Sequence, residues 1–250
     1  MNYQQILEKI YEEIQPFSKD GHQADYIPAL AEVNPDQFGI CIRTTKGKVF
    51  PYMQADTRFS IQSITKVFAL AMCLSLKGEQ LWKKVGKEPS GTAFNSLIQL
   101  EIEKGKPRNP FINAGAMVLA DILLSELEHP EDQFLEFIRE LCGSKDINFN
   151  MTVAKSEREY GYLNVAIANL LKYHGAIANN IEDVLMFYFK MCSVEMSCRE
   201  LFFRIFAVST VEYLECGAKN TSSKPLTSID FFLDTVCSKT PNSFLSRGIL

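Results

Sequence analysis

Hydrophobic positions along the first sixty residues follow two different spacings. In "MNYQQILEKIYEEI" the apolar residues recur every three to four positions, which predicts an amphipathic helix at the N-terminus. In "FGICIRTT" and "KVFPYM" apolar and polar residues alternate on either side of a Lys-Gly turn. This alternation predicts a β-hairpin.

Helical spacing dominates the middle of the chain, from about residue 60 to residue 200. The stretch "SITKVFALAMCLSLKG" is apolar on most sides, so we expect a buried helix that ends at Gly78. The same spacing predicts further helices in "INAGAMVLADILLSELEH", "PEDQFLEFIRELCG", "GYLNVAIANLLKYHG" and "IEDVLMFYFKMCSVEMSC". Together with the hairpin, these helices indicate a mixed α/β fold, which we assign to one domain over residues 1–250.

Composition and charge narrow the class of protein. The chain has 250 residues, 46% of them hydrophobic, which is ample material for a core. Its net charge of -4, with no basic stripe, argues against a nucleic-acid partner. No stretch is long and apolar enough to span a membrane, and the N-terminus does not resemble a signal peptide. The seven cysteines form no CxxC pair, so we expect reduced thiols in a cytoplasmic protein and no metal site.

Ser63 and Lys66 are three residues apart at the start of the predicted buried helix. Positions i and i+3 lie on one face of a helix, so the two side chains can meet. A serine hydroxyl needs a base to become a nucleophile, and a buried lysine can supply one near neutral pH. A simpler interpretation stays open at this point: Ser63 could cap the helix, and Lys66 could be a solvated surface charge.

The segments around this pair indicate a family. A strand followed by a buried helix that opens with Ser-x-x-Lys is the arrangement of the penicillin-recognising serine enzymes. Four further segments follow in a characteristic order, and with the first they resemble the serine-dependent glutaminases over residues 20 to 198. These segments are "EPSGTAFNS", "GKPRNPFINAGAM", "SEREYGYLNVAIANLL" and "YFKMCSVEMSC".

This resemblance implies a fold, a reaction and a set of partners. The implied fold is β-lactamase/DD-peptidase-like, an antiparallel sheet with a helical cluster. The implied reaction is hydrolysis of L-glutamine to L-glutamate and ammonia through a serine acyl-enzyme, without a cofactor. Family members frequently form oligomers, so the resemblance also implies a homo-oligomer. In this reading Ser63 is the nucleophile and Lys66 is its base.

The resemblance also assigns roles to four other residues, each of which has an ordinary structural alternative. Asn113 would contact the substrate, or it could cap a helix. Glu157 would bind the α-ammonium group of glutamine, or it could be a solvated charge. Asn164 would hold polar atoms of the substrate, or it could lie on a helix surface. Tyr188 would hydrogen-bond Ser63 or the substrate, or it could be a core aromatic residue whose hydroxyl finds a partner.

The last fifty residues do not continue the resemblance. The family has a Lys-Ser-Gly strand that supplies an oxyanion-hole amide, and no such motif occurs after Cys198. We therefore expect residues 201–250 to be a divergent or truncated C-terminal region with the family's last strands missing or altered. One alternative is a catalytically impaired relative that acts as a binding or assembly partner. Another is a Ser-Lys enzyme that acts on β-lactams or peptides, although the chain has no Ser-Asp-Asn motif.

Overall fold

The computed structural model describes residues 2–44 and 46–201. Helix α1, Tyr3–Ile14, begins with the side chain of Asn2 accepting a hydrogen bond from the backbone N–H of Gln5. It packs on an antiparallel hairpin of β1, Gly39–Arg43, and β2, Val49–Met53. The N-terminal helix and the hairpin predicted from the spacing of apolar residues are thus confirmed.

A second antiparallel sheet lies next to the predicted nucleophile. It consists of β3, Arg58–Ser60, β4, Asn148–Phe149, and β5, Val194–Ser197, in the order β3-β5-β4. The helix predicted to run over 181–198 ends at Cys192, so its last turn was predicted wrongly. Those residues form β5 because strands on both sides satisfy their backbone groups, which helical spacing alone could not reveal.

Helices make up most of the remaining chain. Two of the predicted helices, Thr65–Lys77 and Asn113–Glu126, bury side chains over most of their circumference, as their apolar sequences indicated. The first of them ends at Gly78, whose φ of 52° suits a residue without a side chain. After α1, the helices are α2 Pro28–Ala31, α3 Thr65–Lys77, α4 Leu97–Ile102, α5 Asn113–Glu126, α6 Pro130–Cys142, α7 Met151–Tyr160, α8 Tyr162–Tyr173, α9 Ile181–Cys192 and α10 Cys198–Leu201; 3₁₀ turns occupy Gln15–Phe17, Gln62–Ile64 and Gly78–Lys83.

Helix α7 escaped the sequence pattern although it carries a candidate site residue. Its apolar buried residues are only Val153 and Ala154, so the hydrophobic spacing is weak. The helix begins instead at a strong local signal. The side chain of Asn150 accepts hydrogen bonds of 3.1 Å from the backbone N–H groups of Thr152 and Val153.

The packing of four helices places the candidate site. Helix α3 packs against α5, and α9 packs against α5, α7 and the 3₁₀ turn that precedes α3. One continuous hydrophobic cluster joins α3, α5 and α9 to α6 and α8. The fold is therefore mixed α/β with antiparallel strands, as predicted, and the start of α3 lies where its helices converge.

Of two further sequence-based expectations, one can be compared with the described residues and the other cannot. Within residues 2–44 and 46–201, no helix is both long enough and apolar enough to cross a membrane. The expectation that the last strands of the family are missing or altered concerns residues 201–250. Apart from Leu201, this region lies outside the described residues.

Candidate active site

The predicted nucleophile lies on a strained turn between β3 and α3. Ser63 is the central residue of the 3₁₀ turn Gln62–Ile64 and is half-buried. The preceding residue, Gln62, has a φ of 46°, a left-handed conformation that costs a residue with a side chain roughly 1–3 kcal/mol. Backbone strain of this kind persists only where neighbouring contacts hold it, and such contacts are present here.

Two hydrogen bonds fix the strained turn. The backbone N–H of Ile61 donates to the carbonyl oxygen of Val194 at 2.8 Å, which ties the turn to β5. The side-chain amide of Gln62 donates to the Ser60 hydroxyl at 3.2 Å. Helix α3 has no side-chain cap, so Ser63 does not serve as its N-cap. The capping alternative considered for Ser63 is therefore wrong.

Lys66 is buried one turn after Ser63, with only 2% of its surface exposed. Its ammonium nitrogen Nζ donates to the Phe111 carbonyl oxygen at 3.0 Å and to Asn113 Oδ1 at 2.8 Å. Burial lowers the pKa of Lys66 to about 8, against the opposing effects of Cys192 and Glu157. Lys66 is thus not the solvated surface charge of the simpler interpretation.

The two hydrogen bonds of Lys66 suit its neutral form. A neutral amine has two N–H donors and one lone pair, and both donors have an acceptor here. The lone pair then remains available to receive a proton. Among the described residues no hydrogen bond engages the Ser63 hydroxyl, so the structure does not join Ser63 directly to Lys66.

Asn113 links the lysine to the start of α8. Its Oδ1 accepts from Lys66, and its Nδ2 donates to Oδ1 of Asn164, a half-buried residue, at 3.0 Å. Asn113 is the first residue of α5, whose N-cap is Ile112 and has no side-chain bond. The side chain of Asn113 therefore does not cap α5, and Asn164 is not simply a surface residue.

A buried asparagine shapes the loop that presents the Phe111 carbonyl to Lys66. Asn109 Oδ1 accepts hydrogen bonds from the backbone N–H groups of Phe111 at 2.9 Å and Ile112 at 3.2 Å. The loop lies against α5 so closely that a Cβ added at Gly115 would be 2.0 Å from the Asn109 carbonyl oxygen. Only glycine therefore permits this approach between the loop and the helix.

Glu157 is the buried carboxylate of the site. It is 3% exposed, and its Oε1 accepts a hydrogen bond of 2.9 Å from the Tyr26 hydroxyl. Burial raises the pKa of Glu157, while the hydrogen bond from Tyr26 and the charge of Lys66 lower it. Glu157 is therefore not the solvated charge that the alternative proposed, although its helix is otherwise polar.

Tyr26 and Gln62 also lie at the site, although the sequence analysis did not single them out. The Tyr26 hydroxyl lies 3.3 Å from Gln62 Oε1 as well as 2.9 Å from Glu157. Tyr26 belongs to the polar, proline-containing segment "KDGHQADYIPALAEVNPDQ", whose composition predicts only a surface loop. Pairing across 131 residues of sequence leaves no local signal, so sequence reasoning could not find this contact.

Tyr188 and Cys192 form the back wall of the site on α9. Tyr188 is 3% exposed, and Cys192, one helical turn later, is 4% exposed. Burial, followed by the influence of Cys192 and Glu157, raises the pKa of Tyr188 well above its usual value, so the hydroxyl stays protonated. Tyr188 is a buried aromatic residue that lies within electrostatic reach of Glu157.

The structure joins some of the predicted site residues by direct hydrogen bonds and others only through the packing of their helices. Direct hydrogen bonds join Lys66, Asn113 and Asn164, and the charges of Lys66 and Glu157 influence each other. Helix α9, which carries Tyr188, packs against the turn of Ser63. The site thus combines a half-buried hydroxyl, a buried amine of lowered pKa, two amides and a carboxylate. This set of groups is suited to acyl transfer with a serine nucleophile.

A strand, a strained turn with a serine and a buried lysine one turn later define a protein of the β-lactamase-like class. The solved structure of the probable glutaminase ybaS has the same fold, with a TM-score of 0.79 and 28% identity. The match covers 94% of this chain and 75% of that one. The sequence model of the family described as Glutaminase matches residues 21–223, and this chain belongs to that family.

Curated relatives agree with this membership. A glutaminase of Pseudoalteromonas translucida is 50% identical over 200 residues, which cover 80% of this chain and 65% of the relative. A glutaminase of Christiangramia forsetii is 45% identical over 237 residues, 94% of this chain and 78% of the relative. The chain spans between 64% and 66% of the length of three such relatives.

Proposed function

We propose that this chain hydrolyses L-glutamine to L-glutamate and ammonia through a glutamyl ester on Ser63. The observation that carries the proposal is the environment of Lys66. A buried amine with a pKa of about 8, whose two N–H donors are already engaged, is suited to accept a proton near neutral pH. The names of the curated relatives support glutamine as the substrate.

The proposed reaction has two halves. Ser63 Oγ attacks the carboxamide carbon of glutamine as its proton passes to Nζ of Lys66, and the resulting C–N bond cleavage returns that proton to the departing ammonia. Water then attacks the glutamyl ester, again giving a proton to Lys66. Lys66 returns this proton to Ser63 Oγ as the C–O bond breaks and glutamate leaves. Side chains and water suffice for these steps, so the proposal calls for no cofactor.

The proposed recognition of glutamine uses the remaining groups. Glu157 is the buried carboxylate that would pair with the α-ammonium group of the substrate, taking the place of its present donor, Tyr26. Asn113 and Asn164 each offer amide donors and acceptors to polar atoms of the substrate. Tyr188 would contact Ser63 or the substrate from the back wall. These roles are proposals that agree with the burial of Glu157 and Tyr188 and with the half-buried positions of Asn113 and Asn164.

Three broader expectations accompany this function as proposals. We propose a homo-oligomer, because α4 and α8 contact each other and expose apolar side chains, among them Ile98, Ile102 and Tyr173. We propose a cytoplasmic location, because the cysteines of the described chain are free thiols. We propose a single domain over residues 1–250, because one core cluster joins residues 61 to 196.

The proposal is tested by measuring ammonia and glutamate released from L-glutamine by the 250-residue chain. We expect the two products in equal amounts and a loss of roughly 10³-fold or more in kcat for Ser63→Ala. The matched control is Ser75→Ala in α3, the helix that follows Ser63; the Ser75 hydroxyl donates to the Met72 carbonyl. A folded chain that releases no ammonia, or a Ser63→Ala variant as active as Ser75→Ala, would refute the proposal. Hydrolysis of a β-lactam in place of glutamine would reassign the substrate.

A further inference from the structure

The loop before α5 contains a buried asparagine that none of the proposed steps uses. Asn109 is 2% exposed, and both polar atoms of its side chain have partners. Its Oδ1 accepts hydrogen bonds from two successive backbone N–H groups, those of Phe111 and Ile112. Its Nδ2 donates to the Glu88 carbonyl oxygen at 2.9 Å. One side chain thus holds the end of its own loop and joins that end to the neighbouring loop.

Backbone contacts fix the loop only as far as the residue before Asn109. The N–H group of Glu88 donates to the Arg108 carbonyl oxygen at 3.0 Å. A Cβ added at Gly86 would lie 2.5 Å from the same oxygen, so the two segments lie very close together. The N–H group of Phe111, by contrast, donates to the side chain of Asn109. The last turn of the loop therefore takes its shape from this one side chain.

That last turn supplies one of the two acceptors of the proposed base. Lys66 Nζ donates to the Phe111 carbonyl oxygen at 3.0 Å and to Asn113 Oδ1 at 2.8 Å. A neutral amine whose carbon substituent and two N–H groups are all fixed has a single direction left for its lone pair. Asn113 reaches Lys66 from the first turn of α5, whereas the Phe111 carbonyl reaches it from the loop. The direction of the lone pair therefore depends on where the loop places that carbonyl.

We propose that Asn109 is a positioning residue that fixes the Phe111 carbonyl and thereby the direction in which Lys66 receives the proton of Ser63. This inference rests on the proposed glutaminase function. Without the Asn109 amide, two backbone N–H groups lose their acceptor, and burying such groups without a partner is costly. We expect the loop to turn them towards water, which moves the carbonyl away from Nζ and admits water to Lys66.

Water beside Lys66 would raise the pKa of its amine, because burial is the main reason for the present value of about 8. The ionisable groups that influence Lys66 are Glu157 of α7 and Cys192 of α9, and both favour the ammonium form. The residue of α5 that bonds Lys66, Asn113, is neutral, and the loop sequence Asn-Pro-Phe-Ile has no ionisable side chain. A neutral replacement of Asn109 therefore changes this pKa through the position of the loop.

The kinetic test measures glutamine hydrolysis by Asn109→Ala and Asn109→Ser between pH 6 and pH 10. Misplacing the base by about 1 Å predicts a kcat ~10–100-fold lower for the alanine variant, with KM changed less than about threefold. We expect the rise of kcat/KM with pH, the acid limb of the profile, to move upward by about one pH unit. A serine hydroxyl accepts from the same N–H groups more weakly, so its acid limb should lie between those of the alanine variant and the wild type.

The matched control is Asn150→Ala. Asn150 also accepts hydrogen bonds from two successive backbone N–H groups, at 3.1 Å each, but at the start of α7. We expect this variant to keep the acid limb of the wild type. An acid limb that stays at the wild-type pH in both Asn109 variants, or that moves equally in Asn150→Ala, would overturn the inference.

A second readout does not depend on turnover. In protein labelled with ¹³C in its lysine side chains, the Cε resonance of Lys66 is identified by its loss in Lys66→Met, and its titration reports the pKa of the amine. We expect this pKa to rise from about 8 in both Asn109 variants and to stay in place in Asn150→Ala. An unchanged pKa in Asn109→Ser would overturn the inference, and this variant decides the question if Asn109→Ala does not fold. A wild-type chain that does not hydrolyse glutamine would refute the proposed function, whereas the titration would still show whether Asn109 holds the loop against Lys66.

Discussion

Replacing Asn113 by aspartate perturbs the proposed base with almost no change in shape. The new carboxylate oxygen would occupy the place of the Oδ1 atom that lies 2.8 Å from Nζ of Lys66. The other oxygen would replace the Nδ2 group that donates to Asn164. A negative charge this close favours the ammonium form of lysine, so the pKa of Lys66 must rise from its present value of about 8.

The size of this effect follows from the pKa of Lys66. With a pKa of about 8, roughly one Lys66 in ten is neutral at pH 7. An opposite charge in contact shifts a pKa by about 1–3 units, which leaves the neutral fraction at pH 7 roughly 10–1,000-fold smaller. If neutral Lys66 is the base, kcat/KM at pH 7 falls by the same factor. Raising the pH restores part of this loss, because the rise of kcat/KM with pH is shifted upward together with the pKa of Lys66.

The assay is the pH profile of kcat/KM for glutamine between pH 6 and pH 10, which reports ionisations of the free enzyme. The matched control is Asn169→Asp, which adds the same charge at an exposed position of α8. We expect the control to keep the acid limb near pH 8 and Asn113→Asp to move it upward. A limb at the same pH in both variants would show that Lys66 is not the group whose ionisation limits the reaction.

Three further predictions concern individual side chains. Folding lowers the pKa of Lys66 from 10.5 to about 8, so the folded state binds fewer protons than the unfolded state between these values. The free energy of unfolding of the wild type should therefore rise relative to that of Lys66→Met, by up to ~3 kcal/mol, as pH rises from 8 to 10.5. Urea titrations in which the two free energies of unfolding differ by the same amount at every pH would contradict this. Glu157→Gln should lower kcat/KM for glutamine ~10–100-fold, and far less for an analogue without the α-amino group, whereas exposed Glu159→Gln should change neither. Gly115→Ala should lower the free energy of unfolding by about 1–3 kcal/mol, and with it the urea midpoint, because the added Cβ would lie 2.0 Å from a backbone oxygen. Gly91→Ala, which has open space around it, should leave the midpoint unchanged. Equal midpoints for the two variants would refute the clash.

The elements with strong periodicity could be predicted from the sequence. The hairpin of β1 and β2 and the buried helices α3 and α5 have the spacing that their burial requires, and the structure places them as expected. The sequence was less informative where the secondary structure of a segment depends on the strands with which it pairs. The strand after α9 has an apolar spacing compatible with a helix, and only its pairing with β3 and β4 makes it a strand.

The residues of the candidate site also differ in how far the sequence could predict them. Ser63 and Lys66 could be found because their spacing carries a chemical meaning on a helix. The burial of Glu157 could not be derived from its helix, which is mostly polar, and the contact with Tyr26 joins two distant segments. The left-handed conformation of Gln62 also has no local signal, because glycine or asparagine would be the usual residue in that conformation.

The central claim is that Ser63 carries the glutamyl group, and trapping that group tests it most directly. With an activated γ-glutamyl nitrophenyl ester, acylation should outpace deacylation, so the ester on the enzyme should accumulate. We predict a burst of about one nitrophenol per active site. We also predict that the peptide containing Ser63 gains the mass of one glutamyl group, and that Ser63→Ala shows neither change. A burst that persists in Ser63→Ala, or a glutamyl group on a different residue, would contradict the account.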